Sequence, residues 1–174
     1  MLRSADLIIL VETSLPRAGL CFVYAHPAHC IAFAGGVGLV PFAPGTFGTL
    51  LAFPLYMLLA AHTGYFVQLI VFIVFFLTGS WACQVAGRAL GVSDHGGMVW
   101  DETVAFLLVL TFTPAGWAWQ LAAFALFRFF DIVKPPPIRH FDRTLKSGFG
   151  VMFDDLLAAG YTLLILALAK HWIG

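Results

Sequence analysis

From Tyr65 to about Leu90 the chain is apolar, with no Asp, Glu, Lys or Arg before Arg88. About 20 apolar residues are what a helix needs to cross a bilayer core. In lipid, every backbone N–H and C=O must be satisfied internally, which restricts spanning structures to helices and closed barrels. This run therefore points to an all-α integral membrane protein. The 61 % hydrophobic and 10 % charged composition, with mean hydropathy +0.94, lies far from globular averages and agrees with membrane residence. A length of 174 residues suits one membrane-embedded domain, 1–174, with 1–25 as an N-terminal lead-in.

Breakers divide the remaining sequence. Pro41-Phe42-Ala43-Pro44-Gly45-Thr46 reads as a turn, with Thr46 as N-cap of a helix running through Leu50, Phe53, Leu55 and Leu58 to Ala61. Tyr65 to Leu90 is the second helix, and Val99 to Thr113, after the polar loop Gly91 to Gly97, is a short third. Pro114 and Gly116 mark the next turn. The fourth helix runs from the interfacial pair Trp117 and Trp119 to Asp131 or Val133, where Pro135, Pro136 and Pro137 stop it. Val151 to about Lys170 is the fifth. The sequence predicts about five membrane helices plus an N-terminal interfacial or re-entrant segment. That segment is Cys21 to Val40, broken by Pro27, Gly35, Gly36 and Gly38. Leu7 to Val11 is too short for a signal-peptide core and is flanked by Asp6 and Glu12.

A net charge of zero gives no reason to expect nucleic acid as a partner. Cys21, Cys30 and Cys83 form no CxxC pair, which argues against a zinc site or a disulfide framework. The loop between the fourth and fifth helices carries Lys134, Arg139, Arg143 and Lys146, whereas the loops around His62 and Pro114 carry no Lys or Arg. The positive-inside rule places the basic loops in the cytoplasm. Thr46, Asp101, Glu102, Asp131, Asp154 and Asp155 then all fall on the cytoplasmic side, at helix ends.

Seven of the nine acidic residues lie between Asp94 and Asp155. Ionisable groups at a membrane segment are costly and point to function. Adjacent carboxylates on a helix diverge by about 100°. Asp101 with Glu102, and Asp154 with Asp155, can each send one carboxylate inward. Together with Asp131 they concentrate negative charge that a hard divalent cation would neutralise, Mg²⁺ being usual beside phosphate. Alternatively these acids pair with Arg128, Lys134, Arg139 and Arg143. Lys134, Arg139, Arg143 and Lys146, with His140, fit a phosphate-receiving rim or ordinary positive-inside topology. Gly148 and Gly150 fit either a backbone approach to phosphate or a flexible turn. His95 beside Asp94 is a candidate acid or base, or simply a satisfied loop histidine.

Four stretches resemble the bacterial phosphatidylglycerophosphatase A lipid phosphatases: GVGLVPFAPGTFGTL from Gly36, SDHGGMVWDE from Ser93, FRFFDIVKPPPIRHFDR from Phe127, and GFGVMFDD from Gly148. The similarity runs from about Pro27 to Gly160, with Ala105 and Lys146-Ser147-Gly148 departing from the usual family residues. The resemblance implies a Mg²⁺-dependent enzyme of the bacterial inner membrane, its site facing the cytoplasm. Its substrate would be phosphatidylglycerophosphate in a membrane of other lipids, and its product phosphatidylglycerol. It assigns Asp101, Glu102, Asp131, Asp154 and Asp155 to the metal. Asp131, Asp101, Asp155 and His95 become the candidate catalytic groups, and Lys134, Arg139, Arg143 and Thr46 the candidate substrate contacts. The rivals from other classes are a divalent-cation transporter and a lipid-binding scaffold, and phosphatidic acid is the competing substrate.

Overall fold

The computed structural model describes residues 18–173, so the lead-in stretch Leu7 to Val11 lies outside the described residues. Every element among the described residues is helical. In order they are α1 (Leu20–Ala25), α2 (Pro27–Ala32), a 3₁₀ segment (Ala34–Leu39), α3 (Pro44–His62), α4 (Tyr65–Leu90), α5 (Trp100–Phe112), α6 (Trp117–Val133), α7 (Ile138–Thr144) and α8 (Gly148–Ile173).

The short helix α5 is the centre of the bundle. Nine of its 13 residues are buried, and α3, α4 and α8 pack around it. A helix this long spans only about 20 Å. It is apolar on all sides because all sides meet protein. Among the described residues three helices, α3, α4 and α8, are long and apolar enough to cross a membrane. α5 and α6, at 13 and 17 residues, fall short of that length. The outer faces of the long helices carry exposed Met57, Leu58, Phe66, Ile73, Leu77, Leu164 and Leu168. Water would penalise so extended an apolar surface, whereas lipid accepts it.

The expected break before Val40 is real. α1, α2 and the 3₁₀ segment have six residues each, too few for any of them to span. Gly35 and Gly36 take φ of 68° and 106°, the left-handed region that glycine enters without penalty. The folded-back segment buries Phe22, Val23, Ala28 and Phe33 against Ala82, Cys83 and Ala86 of α4.

Helix ends account for most departures from the sequence reading. Thr46 is not the N-cap of α3. The cap position is Ala43, at φ 46° with no side-chain bond, and Pro44 occupies the first helical position. Pro is suited there because it has no N–H to leave unsatisfied. Pro135 to Pro137 end α6 as expected, but α7 follows at once and buries Ile138. α8 starts three residues earlier than Val151: Ser147 Oγ accepts the Gly150 N–H at 3.2 Å, an N-cap bond.

Candidate active site

Asp101 and Glu102 occupy the first turn of α5, where the helix dipole favours anions. That turn is fixed from two directions. The Val99 N–H donates to the Ala32 carbonyl at 2.9 Å, tying it to α2. The Thr103 hydroxyl donates to the Gly48 carbonyl at 2.8 Å, tying it to α3. Asp155 reaches the same place from α8, as the residue after Asp154. Carboxylate oxygens of Asp101, Glu102 and Asp155 all lie within 4.8 Å of one another.

Asp101 and Asp155 are buried, and Glu102 is half-buried. Asp101 Oδ1, Glu102 Oε2 and Asp155 Oδ2 are buried without a hydrogen-bond partner among the described residues. An orphaned buried acceptor costs about 1–3 kcal/mol, and more when charged. Three facing carboxylates also repel one another. An oxygen-only anionic donor set of this kind fits a hard divalent cation.

Asp131 is held by a cation of its own helix. Its Oδ2 lies 2.6 Å from Arg128 Nη1, one turn back along α6. The same nitrogen sits 3.7 Å from Glu102 Oε1 and donates to Thr49 Oγ1 on α3 at 3.3 Å. Gly45 makes room for this arrangement, since a Cβ there would lie 2.1 Å from Glu102 Oε1.

Asp154 lies outside the group of three and is held by a lysine. The Lys134 ammonium donates to Asp154 Oδ2, and to Asp142 Oδ1 at 2.8 Å, joining α6, α7 and α8 at one corner. Burial lowers the Lys134 pKa, but Asp154 and Asp142 outweigh it and hold the ammonium above the usual lysine range. Burial likewise raises Asp142, and the bond from Lys134 outweighs it and holds that carboxyl below its ordinary value. Beside this corner Ser93, Asp94, Asp142, Lys146, Gly150 and Asp154 line a small polar cavity.

The remaining candidates sit further out. His95 Nδ1 accepts the Gly97 N–H at 3.0 Å, and its ring lies against Phe33. Thr46 is half-buried in the first turn of α3. Arg139 is exposed and donates to the Val133 carbonyl at 3.3 Å. Arg143 is exposed, with no ion pair among the described residues. Gly148 and Gly150 are close-approach positions: an added Cβ would lie 2.1 Å from the Ser80 carbonyl oxygen and 1.8 Å from that of Leu145 respectively. Protein backbone already occupies that space.

Sequence reasoning placed Arg128 only among general pairing partners, and it passed over Thr49 and Gly45. The signal for Arg128 was present, as a charged residue inside an apolar helix three positions before Asp131.

Outer helices apolar enough to cross a membrane surround a short central helix, and three carboxylates gather at its first turn, the architecture of a membrane-type helical protein with an acidic centre. The family model described as phosphatidylglycerophosphatase A matches residues 30–170. The phosphatidylglycerophosphatase A of Haemophilus influenzae is 46 % identical over 149 residues, covering 85 % of this chain and 91 % of that protein. The protein of the same name from Escherichia coli K12 is 37 % identical over 150 residues, covering 85 % and 87 %. A Bacteroides thetaiotaomicron protein named "Putative phosphatidylinositol-3-phosphatase" is 40 % identical over 146 residues, covering 80 % and 91 %. No solved structure matches the chain. The chain belongs to the phosphatidylglycerophosphatase A family and is a phosphatase.

Proposed function

We propose that the protein hydrolyses phosphatidylglycerophosphate to phosphatidylglycerol and inorganic phosphate, with Mg²⁺, in phospholipid biosynthesis. It does so at the cytoplasmic leaflet of the bacterial inner membrane, as a multi-pass protein with about five crossings. The observation that carries this reading is the group formed by Asp101, Glu102 and Asp155, which converge within 4.8 Å and each keep one buried oxygen without a partner among the described residues. The names of the Haemophilus and Escherichia relatives supply the substrate. The basic residues Lys134, Arg139, Arg143 and Lys146 cluster in sequence beside this end of the bundle, which supports a cytoplasmic site. A transporter would place its acids near the bilayer midplane, whereas Asp101 and Glu102 lie in the first turn of α5 and Asp155 lies in the N-terminal third of α8.

Asp101, Glu102 and Asp155 would hold the cation, with Asp131 and Asp154 flanking them. When bound, it supplies charge neutralisation and polarises the phosphoryl oxygens. The chain's own groups do the rest. Water attacks the phosphorus in line with the leaving glycerol oxygen, and the P–O bond to glycerol breaks. Asp131, fixed by Arg128, accepts the proton of the attacking water, and the departing glycerol oxygen takes up a proton to give the alcohol. Lys134 sets the position of Asp154, and the exposed Arg139 and Arg143 draw the anionic head group toward the site.

The test is phosphate release by purified protein in mixed micelles, with Mg²⁺ and with EDTA. Phosphatidylglycerophosphate, phosphatidic acid and phosphatidylinositol 3-phosphate are compared in parallel. Mg²⁺-dependent release from the first alone is the expected result. Equal release from all three would remove the head-group assignment, and release in EDTA would remove the cation.

A further inference from the structure

We infer that Arg128 binds the phosphoryl group of the substrate through the Nε and Nη2 edge of its guanidinium; this rests on the phosphatase reading above. A guanidinium carries five N–H donors in one plane. In Arg128 every described contact falls on Nη1: Asp131 at 2.6 Å, Thr49 at 3.3 Å and Glu102 at 3.7 Å. Nε is buried and has no partner among the described residues. The side chain is only 15 % exposed, beside Glu102 of the carboxylate group. Asp131 and Thr49 thus fix the orientation of the plane and leave its other edge unused. That edge presents two parallel N–H groups, the geometry that grips two oxygens of one phosphate.

The other cations of this end are placed differently. Lys134 is occupied by Asp142 and Asp154, while Arg139 and Arg143 are exposed. Among the described residues Arg128 is the guanidinium that is half-buried against the acids and keeps free donors. Lys at this position would retain the charge and lose the fork, so the conservative replacement separates recognition from charge balance.

The experiment compares wild type, Arg128→Lys and Arg128→Gln for binding of a non-hydrolysable phosphonate analogue of the lipid, at saturating Mg²⁺. Binding of Mn²⁺ alone, followed by electron paramagnetic resonance, is the second readout. The expected result is that Arg128→Lys weakens phosphonate binding at least 30-fold and leaves Mn²⁺ affinity within about threefold. Unchanged phosphonate binding, or a loss confined to Mn²⁺ binding, would overturn the inference and leave Arg128 as a support for the acids. Should neither variant fold, wild-type protein labelled with ¹⁵N-arginine answers the same question. The Arg128 Nε–H resonance, assigned by replacing the other arginines with lysine, is expected to shift when the phosphonate is added, and no shift overturns the inference. If wild type releases no phosphate from any lipid, it is the phosphatase reading that fails. An active wild type whose Arg128→Lys variant binds phosphonate normally refutes only the role of Arg128.

Discussion

Replacing Gly45 by Ala tests whether the position of Glu102 matters to turnover. The new Cβ would lie 2.1 Å from Glu102 Oε1 and 3.1 Å from Arg128 Nη1. Real contacts essentially never fall below 3.0 Å, so the Glu102 carboxylate must move by roughly 1 Å. It is the far end of a flexible side chain, so the fold can absorb the shift. Ala is also a better helix residue than Gly by up to about 1 kcal/mol, which offsets part of the cost. Misplacing a reacting group by 1 Å costs on the order of 100-fold in rate. The expectation is therefore an unchanged melting midpoint with phosphate release reduced about 100-fold, equivalent to about 2.7 kcal/mol of barrier. Gly48→Ala is the contrast. Its Cβ would lie 2.7 Å from both Val99 Cβ and the Val99 carbonyl oxygen, which cannot swing aside. Overpacking of this kind costs about 1–3 kcal/mol, so here the melting midpoint should fall. Both quantities are read on detergent-purified protein, by phosphate release and by a thermal melt. Full activity in Gly45→Ala would show that the place Glu102 takes beside Arg128 is irrelevant to catalysis.

Asp131→Asn should lower phosphate release at least about 1,000-fold with little change in melting midpoint, and retained activity would remove Asp131 as proton acceptor. Mg²⁺ should raise the melting midpoint of wild type, because a ligand that binds only the folded state stabilises it. Asp155→Asn should abolish that rise, and a rise of wild-type size in the variant would place the cation elsewhere. Lys134→Met strands the Asp154 charge. Breaking a fully buried pair costs about 3–5 kcal/mol, and with Lys134 at 23 % exposure about 2 kcal/mol is expected after solvent screening. Adding Asp154→Asn should recover part of that loss, and strict additivity of the two changes would show that the pair is uncoupled.

Long apolar runs and their breakers made most of the scaffold legible. α4 has the ends that the uncharged run from Tyr65 predicts, and α5 falls inside the expected Val99 to Thr113, with those two residues as its caps. Recognition of α7 failed because seven residues after three prolines carry too little periodicity to show a helix. Thr46 misled because the Pro at the first helical position mattered more than the hydroxyl two residues later. The number of crossings is harder for a physical reason. A helix buried in protein and a helix buried in lipid are equally apolar, and α5 owes its character to its neighbours. Within the site, helix geometry requires Asp154 and Asp155 to diverge, but only the packing of α8 decides which of them meets α5. The pairing of acids with Arg128 and Lys134, which the sequence offered as an alternative to a shared centre, is present alongside the grouped acids.

That coexistence separates two kinds of charge compensation. Where Asp131, Asp142 and Asp154 lie, the chain supplies its own cations, Arg128 and Lys134, held by ion pairs within α6 and from its end to α7 and α8. Where Asp101, Glu102 and Asp155 converge, the one such contact among the described residues is Arg128 at 3.7 Å from a single Glu102 oxygen. A chain that needed only to bury these acids would have met them as it met Asp154, with a lysine. The difference follows from what each position has to do. A tethered ammonium cannot leave or open its coordination to a substrate oxygen, whereas a bound divalent cation can take water and phosphate among its ligands. The fixed cations therefore orient the outer acids, and the proposed exchangeable one belongs to the inner three, where charge must be shared with a phosphate that enters and departs in every turnover.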